Sequence, residues 1–588
     1  CGTEVSFSLL CSREEDICAG AMRLRAEFAG LDRTVPLAPS GGAWGCSVTA
    51  PEEPDLLWYD FTLTRGSGET VHLSRSGGPW QLTVYEDTGT PDWFGRGVSY
   101  QIFPDRFCRS RLPQPEGLVG ERTVHESWED TPDYLPDEKG EIRNCDFFGG
   151  DFRGITEKLD YLQSLSVTTL YLTPIFEAAS NHRYNTADYR AVDPMLGTEE
   201  DFQELCRQAH KRGMRLLLDG VFNHTGSVSR YFNRDGFYPE LGAAQSQASP
   251  YYNWYHFTRW PEEYDAWWGI KTLPAVDEGQ DSYRAFIIRD RDSVVRRWLR
   301  SGADGWRLDV ADELPDDFIR EIRRAMEEEK PDAVLIGEVW EDGSNKIAYD
   351  RRRRYLLGRE THGLMNYPFR TAAIDWLLGG DAAAFRERME ELRENYPSPA
   401  FYCAMNFLGT HDTARILTLL AGEPVPESRS QRAAACLSPA GYRRAAARLR
   451  LGALLLYAFP GSPTVYYGDE AGMQGYEDPL NRRTYPWGRE DAALLAWYRR
   501  LGQVRRERPS LQTGRLRYLF AQGGGLVLER RTEKDVTVAA LNAGEEALEL
   551  TLPWAGAVAT DAMSGQQFLA VEGRVHLTLP PMGGVLLV

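Results

Sequence analysis

The chain has 588 residues, of which 26% are charged and 42% are hydrophobic. This length predicts two to four domains, and the composition is typical of a globular protein rather than of a disordered chain. The net charge of −19 argues against nucleic acid and anionic lipid as partners and favours a neutral substrate. No apolar run approaches the ~20 residues that a membrane helix requires, so we expect no membrane span.

The nine cysteines are scattered, odd in number and without CxxC spacing. This pattern predicts neither a disulfide framework nor a zinc site, and it favours a reducing compartment. We therefore expect a bacterial cytoplasmic protein. Because the sequence begins with Cys1, as mature lipoproteins do, a secreted or lipid-anchored protein remains an alternative, although a trimmed start explains this residue more simply.

The first part of the chain, residues 1–90, consists of short alternating runs separated by Gly, Pro and Ser. LLWYDFTLT at 56–64 and WQLTVY at 80–85 are the clearest of these runs. Alternation with a period of two is typical of strands that have one buried face. The sequence therefore predicts an N-terminal β-sandwich.

Residues 91–505 alternate between apolar strand patterns and helical periods, which favours βα units and a parallel sheet. Helical patterns lie at 199–213 and 291–303. Eight strands are expected, which is the number that closes a TIM barrel. They are VSYQIF at 98, VTTLYLTP at 167, MRLLLDG at 214, DGWRLDV at 304, AVLIGEV at 333, LMNYPF at 364, FYCAMNFLG at 401 and SPTVYYG at 462.

Two further segments interrupt or follow this barrel pattern. Residues 225–285, after the third strand, are too long for a βα loop, so we expect an inserted subdomain. It carries nine aromatic residues between Tyr251 and Trp268, which either wall a substrate cleft or form the core of the insertion. From 506 to 588 the alternation returns, which predicts a C-terminal β-sandwich.

Polar side chains end several of the predicted barrel strands. In a TIM barrel the active site lies at the carboxyl ends of the strands. Four carboxylates on four strands would leave like charges facing each other, so a functional site explains them better than structural ion pairs. The residues are Asp219 and His224 after the third strand, Arg307 and Asp309 in the fourth, Glu338 at the fifth, and His411 and Asp412 after the seventh.

These residues lie in recognisable motifs. DGVFNH (219–224), GWRLDVADE (305–313), GEVW (337–340) and FLGTHD (407–412) resemble, in this order, the four signature regions of the α-amylase family of glycoside hydrolases, family 13. YQIFPDRF, FFGGDFRGI, SNHRYNTADY and GSPTVYYGDEAGM are similar in particular to its neopullulanase, cyclomaltodextrinase and maltogenic amylase branch.

The resemblance implies an α/β fold, a (β/α)8 barrel flanked by two β-sandwiches. It also implies a retaining α-glucan hydrolase that cleaves α-1,4 and perhaps α-1,6 bonds in maltooligosaccharides, cyclodextrins or pullulan. The N-terminal domain would bind carbohydrate or form a homodimer. Two alternatives remain: a glucanotransferase on the same barrel, and an inactive carbohydrate-binding relative, which the presence of all three carboxylates described below disfavours.

Retaining cleavage needs a nucleophilic carboxylate and a carboxylic acid about 5 Å apart. We expect Asp309 to be the nucleophile, held ionised by Arg307 on the same strand face. Glu338, between Gly337 and the apolar Val339, is expected to be the acid and then the base.

The remaining roles rest on the resemblance. Asp412 would be the third carboxylate, which binds sugar hydroxyls, and His224 and His411 would donate hydrogen bonds to the sugar. Tyr184 would stack on the sugar with His182 nearby. Asp219 is expected to orient Arg307 rather than to contact the substrate.

The sequence differs from many of its relatives in the segment that binds calcium in those relatives. Many relatives follow DRF (105–107) with an Asn-Gly-Asp run that helps to bind calcium, whereas Cys108, Arg109, Ser110 and Arg111 follow it here. Arginine supplies a cation where calcium needs oxygen ligands. The weak candidates that remain are Asn144, Asp146, Gly150 and Asp151. We therefore expect that no cofactor is required and that calcium binding is doubtful.

Overall fold

The structure, a computed structural model, describes residues 1–11, 16–113, 118–138 and 140–588. Its centre is a sheet of eight parallel strands, and an isolated parallel bridge between Met365 and Met405 joins the two edges. The predicted (β/α)8 barrel is thereby confirmed. In chain order its strands are Ser99–Ile102, Thr169–Leu172, Arg215–Gly220, Gly305–Leu308, Val334–Gly337, Gly363–Leu364, Met405–Phe407 and Ser462–Tyr466.

Helices surround this sheet, and their ends follow local capping chemistry. The helix predicted at 199–213 spans Glu199–Lys211 and begins with a capping box between Thr198 and Asp201. The other helices are Asp92–Arg96, Pro104–Phe107, Phe152–Glu157, Leu159–Ser164, Asp281–Arg284, Val294–Arg300, Asp316–Glu329, Tyr367–Leu377, Ala382–Asn395, Ser398–Tyr402, Ile416–Leu420, Arg429–Ala434, Pro439–Ala458, Ala492–Glu507 and Pro509–Thr513.

Two barrel strands are shorter than the sequence pattern suggested. The sixth contains only Gly363–Leu364, because the Asn366 side chain caps the helix Tyr367–Leu377 and accepts a hydrogen bond from Phe369 N–H. The apolar residues of LMNYPF therefore belong mostly to a helix. In the seventh segment the helix Ser398–Tyr402 precedes the strand, so only three of the nine residues in FYCAMNFLG are extended.

The N-terminal region is a pair of antiparallel sheets. Three strands form one sheet and five form the other, and Leu24, Leu57 and Phe61 are part of the core between them. The strands are Glu4–Leu10, Ile17–Ala26, Asp32–Pro36, Ala38–Ser40, Ala43–Thr49, Asp55–Arg65, Thr70–Leu73 and Trp80–Val84.

The C-terminal region is likewise a pair of antiparallel sheets, each with four strands. Helix Ala492–Glu507 continues past residue 505, so the strands of this region begin at Arg515, later than the expected 506. They are Arg515–Gln522, Gly525–Arg531, Val536–Asn542, Leu548–Pro553, Val558–Thr560, Gln567–Val571, Arg574–Leu579 and Gly583–Leu587.

The segment 225–285 contains only short elements. Its buried aromatic residues, such as Trp254, Tyr255 and Tyr264, belong to the same continuous hydrophobic core as the barrel, whereas Trp268 is 81% exposed. Short strands here and elsewhere among the described residues are Thr123–Val124, Asp146–Phe147, Phe176–Ala178, Thr186–Val192, Phe257–Arg259, Glu263–Tyr264, Ile347–Ala348 and Arg351–Arg352. Short 3-10 helices are Tyr252–Trp254, Trp267–Gly269 and Leu480–Arg482, and Ala285–Arg289 is a π-helical turn.

No helix among the described residues is both long enough and apolar enough to cross a bilayer.

Candidate active site

The Arg307 guanidinium is the centre of a cluster at the carboxyl ends of the third, fourth and fifth barrel strands. Its Nη1 lies 2.7 Å from Asp219 Oδ1 and 2.8 Å from Asp309 Oδ1, and its Nη2 lies 2.9 Å from Glu338 Oε2. The register of the parallel sheet pairs Asp219 with Arg307. One buried cation thus contacts three carboxylates from three adjacent strands, and Asp309 and Glu338 lie close together.

The Glu338 carboxylate accepts hydrogen bonds at both oxygens. Val310 N–H donates to Oε2 at 2.7 Å, and the Trp340 indole N–H donates to Oε1 at 3.1 Å. Val310, next to Asp309 in the chain, has φ of 39°, a conformation that costs a β-branched residue free energy. This strained backbone connects the two carboxylates, because it directs an N–H from the residue after Asp309 onto Glu338.

A hydrogen-bond chain leads from Asp219 to the first barrel strand. Asp219 Oδ2 accepts from the Tyr171 and Tyr184 hydroxyls at 2.7 and 2.9 Å. The Tyr184 hydroxyl lies 2.6 Å from His411 Nε2, and Gln101 Nε2 lies 2.7 Å from His411 Nδ1. Because the Gln101 amide donates to Nδ1, the proton of His411 is on Nε2. Burial holds the pKa of His411 well below its usual value, so the ring is neutral.

The two other predicted histidines border the same site. His224 Nε2 donates to the Tyr184 carbonyl at 3.1 Å, its ring stacks on Trp267, and burial lowers its pKa to about 4. His182 Nδ1 accepts from Tyr184 N–H at 3.1 Å, and burial, followed by nearby guanidinium groups, lowers its pKa to about 3. Both rings are therefore neutral near pH 7. The N–H of His224 is used on the Tyr184 carbonyl, and the N–H of His182 is on Nε2, because its Nδ1 accepts a hydrogen bond.

The Asp412 side chain lies at the open side of the cluster and is 28% exposed. Its Oδ1 is 3.1 Å from His411 Nε2. The seventh strand ends at Phe407, so these two adjacent side chains are free of strand alternation and both reach the site.

The carboxylates of the cluster shift one another's titration. Burial raises the pKa of Asp309 well above its usual value; Arg307 opposes this effect, and the charges of Glu338 and Asp219 add to it. Burial and the Glu338 charge raise the pKa of Asp412 as well. The sequence-based expectation that Arg307 keeps Asp309 ionised considered only the contact between these two residues. With several carboxyls around one guanidinium, burial and the neighbouring negative charges outweigh the effect of Arg307 on the pKa of Asp309.

All nine predicted catalytic and substrate-contacting residues therefore lie in one connected site. They are Asp309, Glu338, Asp412, Arg307, His224, His411, Tyr184, His182 and Asp219. The sequence reasoning missed Gln101 and Tyr171. Each is a polar residue within an apolar strand, VSYQIF and TLYL, and such a residue can face only a polar partner inside the barrel.

The calcium candidates accept hydrogen bonds from the protein itself. Asn181 donates to Asp146 Oδ1 at 3.0 Å, and Asp133 N–H donates to Asp146 Oδ2 at 3.1 Å. Asp151 accepts from Gly154 N–H and from the Ser110 hydroxyl, both at 2.6 Å. Protein donors therefore already occupy these carboxylate oxygens.

Gly150 N–H donates to the Asp105 carbonyl at 2.9 Å. The Asn144 amide oxygen has no partner among the described residues. Nearby, the Arg109 guanidinium donates to the carbonyls of His125, Glu126 and Phe148 at 3.1–3.2 Å. A fixed cation thus already binds carbonyl oxygens here, and the residues do not fit a calcium ion.

A nitrogen and two carboxylate oxygens do converge beside this region. Ligand atoms of His125, Asp133 and Asp146 lie within 4.8 Å of one another. Arg106 pairs with Asp146 at 3.5 Å, and calcium takes six to eight oxygens, so this trio does not restore the calcium site.

Paired carboxylates at the ends of adjacent strands of a (β/α)8 barrel, with a third carboxylate at the open side, define the site of a barrel glycosidase. The chain matches the family "Alpha amylase, catalytic domain" over residues 101–494 and the family "Maltogenic Amylase, C-terminal domain" over residues 524–586. The protein belongs to the α-amylase family of glycoside hydrolases.

Named relatives agree with this family. The chain is 36% identical to an amylopullulanase of Thermoanaerobacterium saccharolyticum over 91% of this chain and 46% of that one. It is 32% identical to neopullulanase 2 of Thermoactinomyces vulgaris over 90% and 86% of the two chains. The type III pullulan hydrolase from Thermococcus kodakarensis has a similar structure, with a TM-score of 0.72 and 27% identity, covering 99% of this chain and 96% of the other. The resemblance to the neopullulanase branch is confirmed. The chain spans less than half the length of the amylopullulanases it matches.

Proposed function

We propose that the protein is a retaining α-glucan hydrolase that cleaves α-1,4 bonds, and α-1,6 bonds where the cleft accepts them. The observation that carries this proposal is the sharing of Arg307 between Asp309 and Glu338, at 2.8 and 2.9 Å. A retaining mechanism needs two carboxyl groups at short separation, and one guanidinium holds them so.

Asp309 is the nucleophile in this proposal. Its Oδ1 accepts from Arg307, which leaves Oδ2 to attack the anomeric carbon. As the bond to the leaving oxygen breaks, a covalent glycosyl-enzyme forms through an oxocarbenium-like transition state. Arg307 contributes by stabilising the negative charge on Asp309 when the intermediate is hydrolysed and the carboxylate leaves.

Glu338 donates the proton that the leaving oxygen requires. Its Oε2 faces Val310 N–H and Arg307, so the transferable proton is expected on Oε1. Arg307 contacts both carboxyl groups, so in this proposal Asp309 attacks as the carboxylate while Glu338 carries the proton that is transferred. After the first step Glu338 takes a proton from the attacking water.

Asp412, His411 and His224 are proposed to bind hydroxyls of the sugar at the cleavage point. Asp412 is the most exposed carboxylate of the cluster, and burial keeps both histidines neutral. Tyr184 is proposed to stack on the same sugar, with His182 holding its backbone N–H.

Pullulan and short α-glucans are the proposed substrates. The names of the relatives, amylopullulanase, neopullulanase and pullulan hydrolase, support this choice. Transfer to a sugar hydroxyl instead of water would start from the same glycosyl-enzyme, so glucanotransfer is the second candidate activity.

Product analysis of a pullulan digest tests the proposal, with Asp309→Asn as the blank. Panose means α-1,4 cleavage, and maltotriose means α-1,6 cleavage. Longer products that accumulate with time indicate transfer. Absence of all of these products from pullulan, cyclodextrins and maltooligosaccharides would contradict the proposed activity.

We propose three further properties of the protein. Catalysis is proposed to require no cofactor and no calcium, which the Arg109 contacts with three carbonyls support. A cytoplasmic location is supported by the buried thiols Cys108, Cys206 and Cys403, since reduced cysteines are usual there. Formation of a homodimer through the N-terminal domain stays a prediction.

A further inference from the structure

Two adjacent tryptophans of the insertion lie beside the active site. Trp267 stacks on His224, with ring centroids 5.4 Å apart, and Trp268 stacks on Trp267 at the same separation. The Trp268 side chain is nevertheless 81% exposed. An indole left in solvent at the end of a stack that starts at the catalytic site has an unused apolar face.

The backbone conformation of Trp268 adds to this observation. Its φ of 50° and ψ of 27° lie in the left-handed region, which L residues adopt at a cost. Such a conformation persists only where surrounding contacts impose it, and for an exposed side chain those contacts have to be specific ones.

Glu313 provides such a contact. The Trp268 indole N–H donates to Glu313 Oε1 at 3.3 Å, and the Tyr349 hydroxyl donates to Glu313 Oε2. Glu313 lies four residues after Asp309, and Tyr349 lies in the loop that follows Glu338. One carboxylate therefore joins the tip of the insertion to the loops that carry the nucleophile and the acid.

We propose that Trp268 is a stacking platform for a glucosyl unit on the leaving-group side of the scissile bond, and that Glu313 and Tyr349 hold it in place. This inference rests on the proposed function and names a substrate contact for it. The C–H face of glucose packs on an aromatic face. Trp268 and Tyr349 both donate to Glu313, and Tyr349 lies in the segment that follows the proposed acid Glu338, which favours the leaving-group side for Trp268. Trp268 then determines how well long chains and sugar acceptors bind.

Replacement of Trp268 by Ala tests the platform. We expect the KM for maltohexaose to rise about three- to tenfold, the loss that one aromatic stack accounts for. kcat should change less, and the ratio of transfer to hydrolysis products should fall, because acceptor binding weakens. Phe237→Ala is the matched control: Phe237 is an exposed aromatic in the same insertion and should leave both readouts unchanged.

Two more variants separate the ring from its hydrogen bond. Trp268→Phe keeps an aromatic face but cannot donate to Glu313, and Tyr349→Phe removes the other donor. Both should give smaller increases in KM than Trp268→Ala. An unchanged KM and an unchanged product ratio in Trp268→Ala would overturn the proposal.

A binding measurement keeps this test separate from the proposed function. Calorimetric titration of maltohexaose into Asp309→Asn and into Asp309→Asn with Trp268→Ala should show weaker binding in the double variant. Absence of glucan turnover by the natural protein would contradict the proposed function. Equal binding of maltohexaose by these two variants would contradict the stacking role of Trp268, whatever the outcome for turnover.

Discussion

Arg307 and Asp219 form an ion pair of 2.7 Å in which neither side chain is exposed to solvent. Asp219 also accepts hydrogen bonds from two tyrosine hydroxyls, so its position is fixed from three directions. Arg307, which Asp219 holds in place, also contacts Asp309 and Glu338. We therefore expect Asp219 to act on the chemistry by positioning Arg307 rather than by contacting the substrate.

Replacement of Asp219 by Asn should lower kcat about 10- to 100-fold with little change in KM. The reason is that Arg307 loses a charge-assisted bond and holds the two reacting carboxylates less firmly. Steady-state kinetics on a maltooligosaccharide measure this effect.

Asp304→Asn is the matched control. Asp304 is a buried carboxylate at the start of the fourth strand, at the opposite end of the barrel, where it pairs with Lys330 at 2.6 Å. Its loss should lower Tm and leave kcat unchanged. Equal losses of kcat in both variants would mean that Asp219 acts only through stability.

Asp309→Asn should abolish turnover, with a loss of about 10⁴-fold or more, because no glycosyl-enzyme can form. Its Tm should equal or exceed that of the natural protein. The folded-state pKa of Asp309 is raised, so ionising this residue within the fold costs stability at every pH above its value in the unfolded chain. Calorimetry at pH 8 measures Tm; substantial residual activity, or a large fall in Tm, would contradict the assignment.

The sequence predicted the barrel and the site because both depend on local patterns. Each barrel strand is an apolar run, and Asp219, Asp309 and Glu338 end such runs, so topology alone brings them to one edge. The pattern could not predict the end of the sixth strand. There Asn366 caps a helix, and the apolar residues that follow Asn366 belong to that helix.

Electrostatics was the harder part to predict. The sequence placed Arg307 beside Asp309, but it did not show that Glu338 and Asp219 contact the same guanidinium. Burial and these additional carboxylates raise the pKa of Asp309, which is the opposite of the expected direction. The sequence could not predict the position of Trp268 either, because its indole N–H binds Glu313, which is 45 residues away in the chain.

Arg109 is expected to replace a bound cation as the organiser of the loops around residues 125–126 and 148. Arg109→Met should lower the free energy of unfolding by about 2 kcal/mol, because charged hydrogen bonds to three carbonyls are lost. EDTA should change neither the Tm nor the kcat of the natural protein. Arg111→Met, two residues away and exposed, is the control and should be neutral. A clear fall in Tm with EDTA that calcium reverses would contradict this account.

Glu278 is expected to make stability depend on pH. Burial, followed by the charges of Asp277 and Glu313, raises its pKa to about 8, with Arg284 opposing, and its Oε1 has no hydrogen-bond partner among the described residues. Between the unfolded value, about 4.3, and about 8, the folded protein keeps a proton that the unfolded chain releases, so the contribution of Glu278 to stability falls as pH rises. Glu278→Gln removes this titration. The Tm difference between Glu278→Gln and the natural protein should therefore grow by several degrees from pH 5.5 to pH 8.5. Scanning calorimetry at both pH values measures it, with the exposed Glu533→Gln as control, and a difference that stays constant would show that Glu278 is already ionised in the fold at pH 5.5.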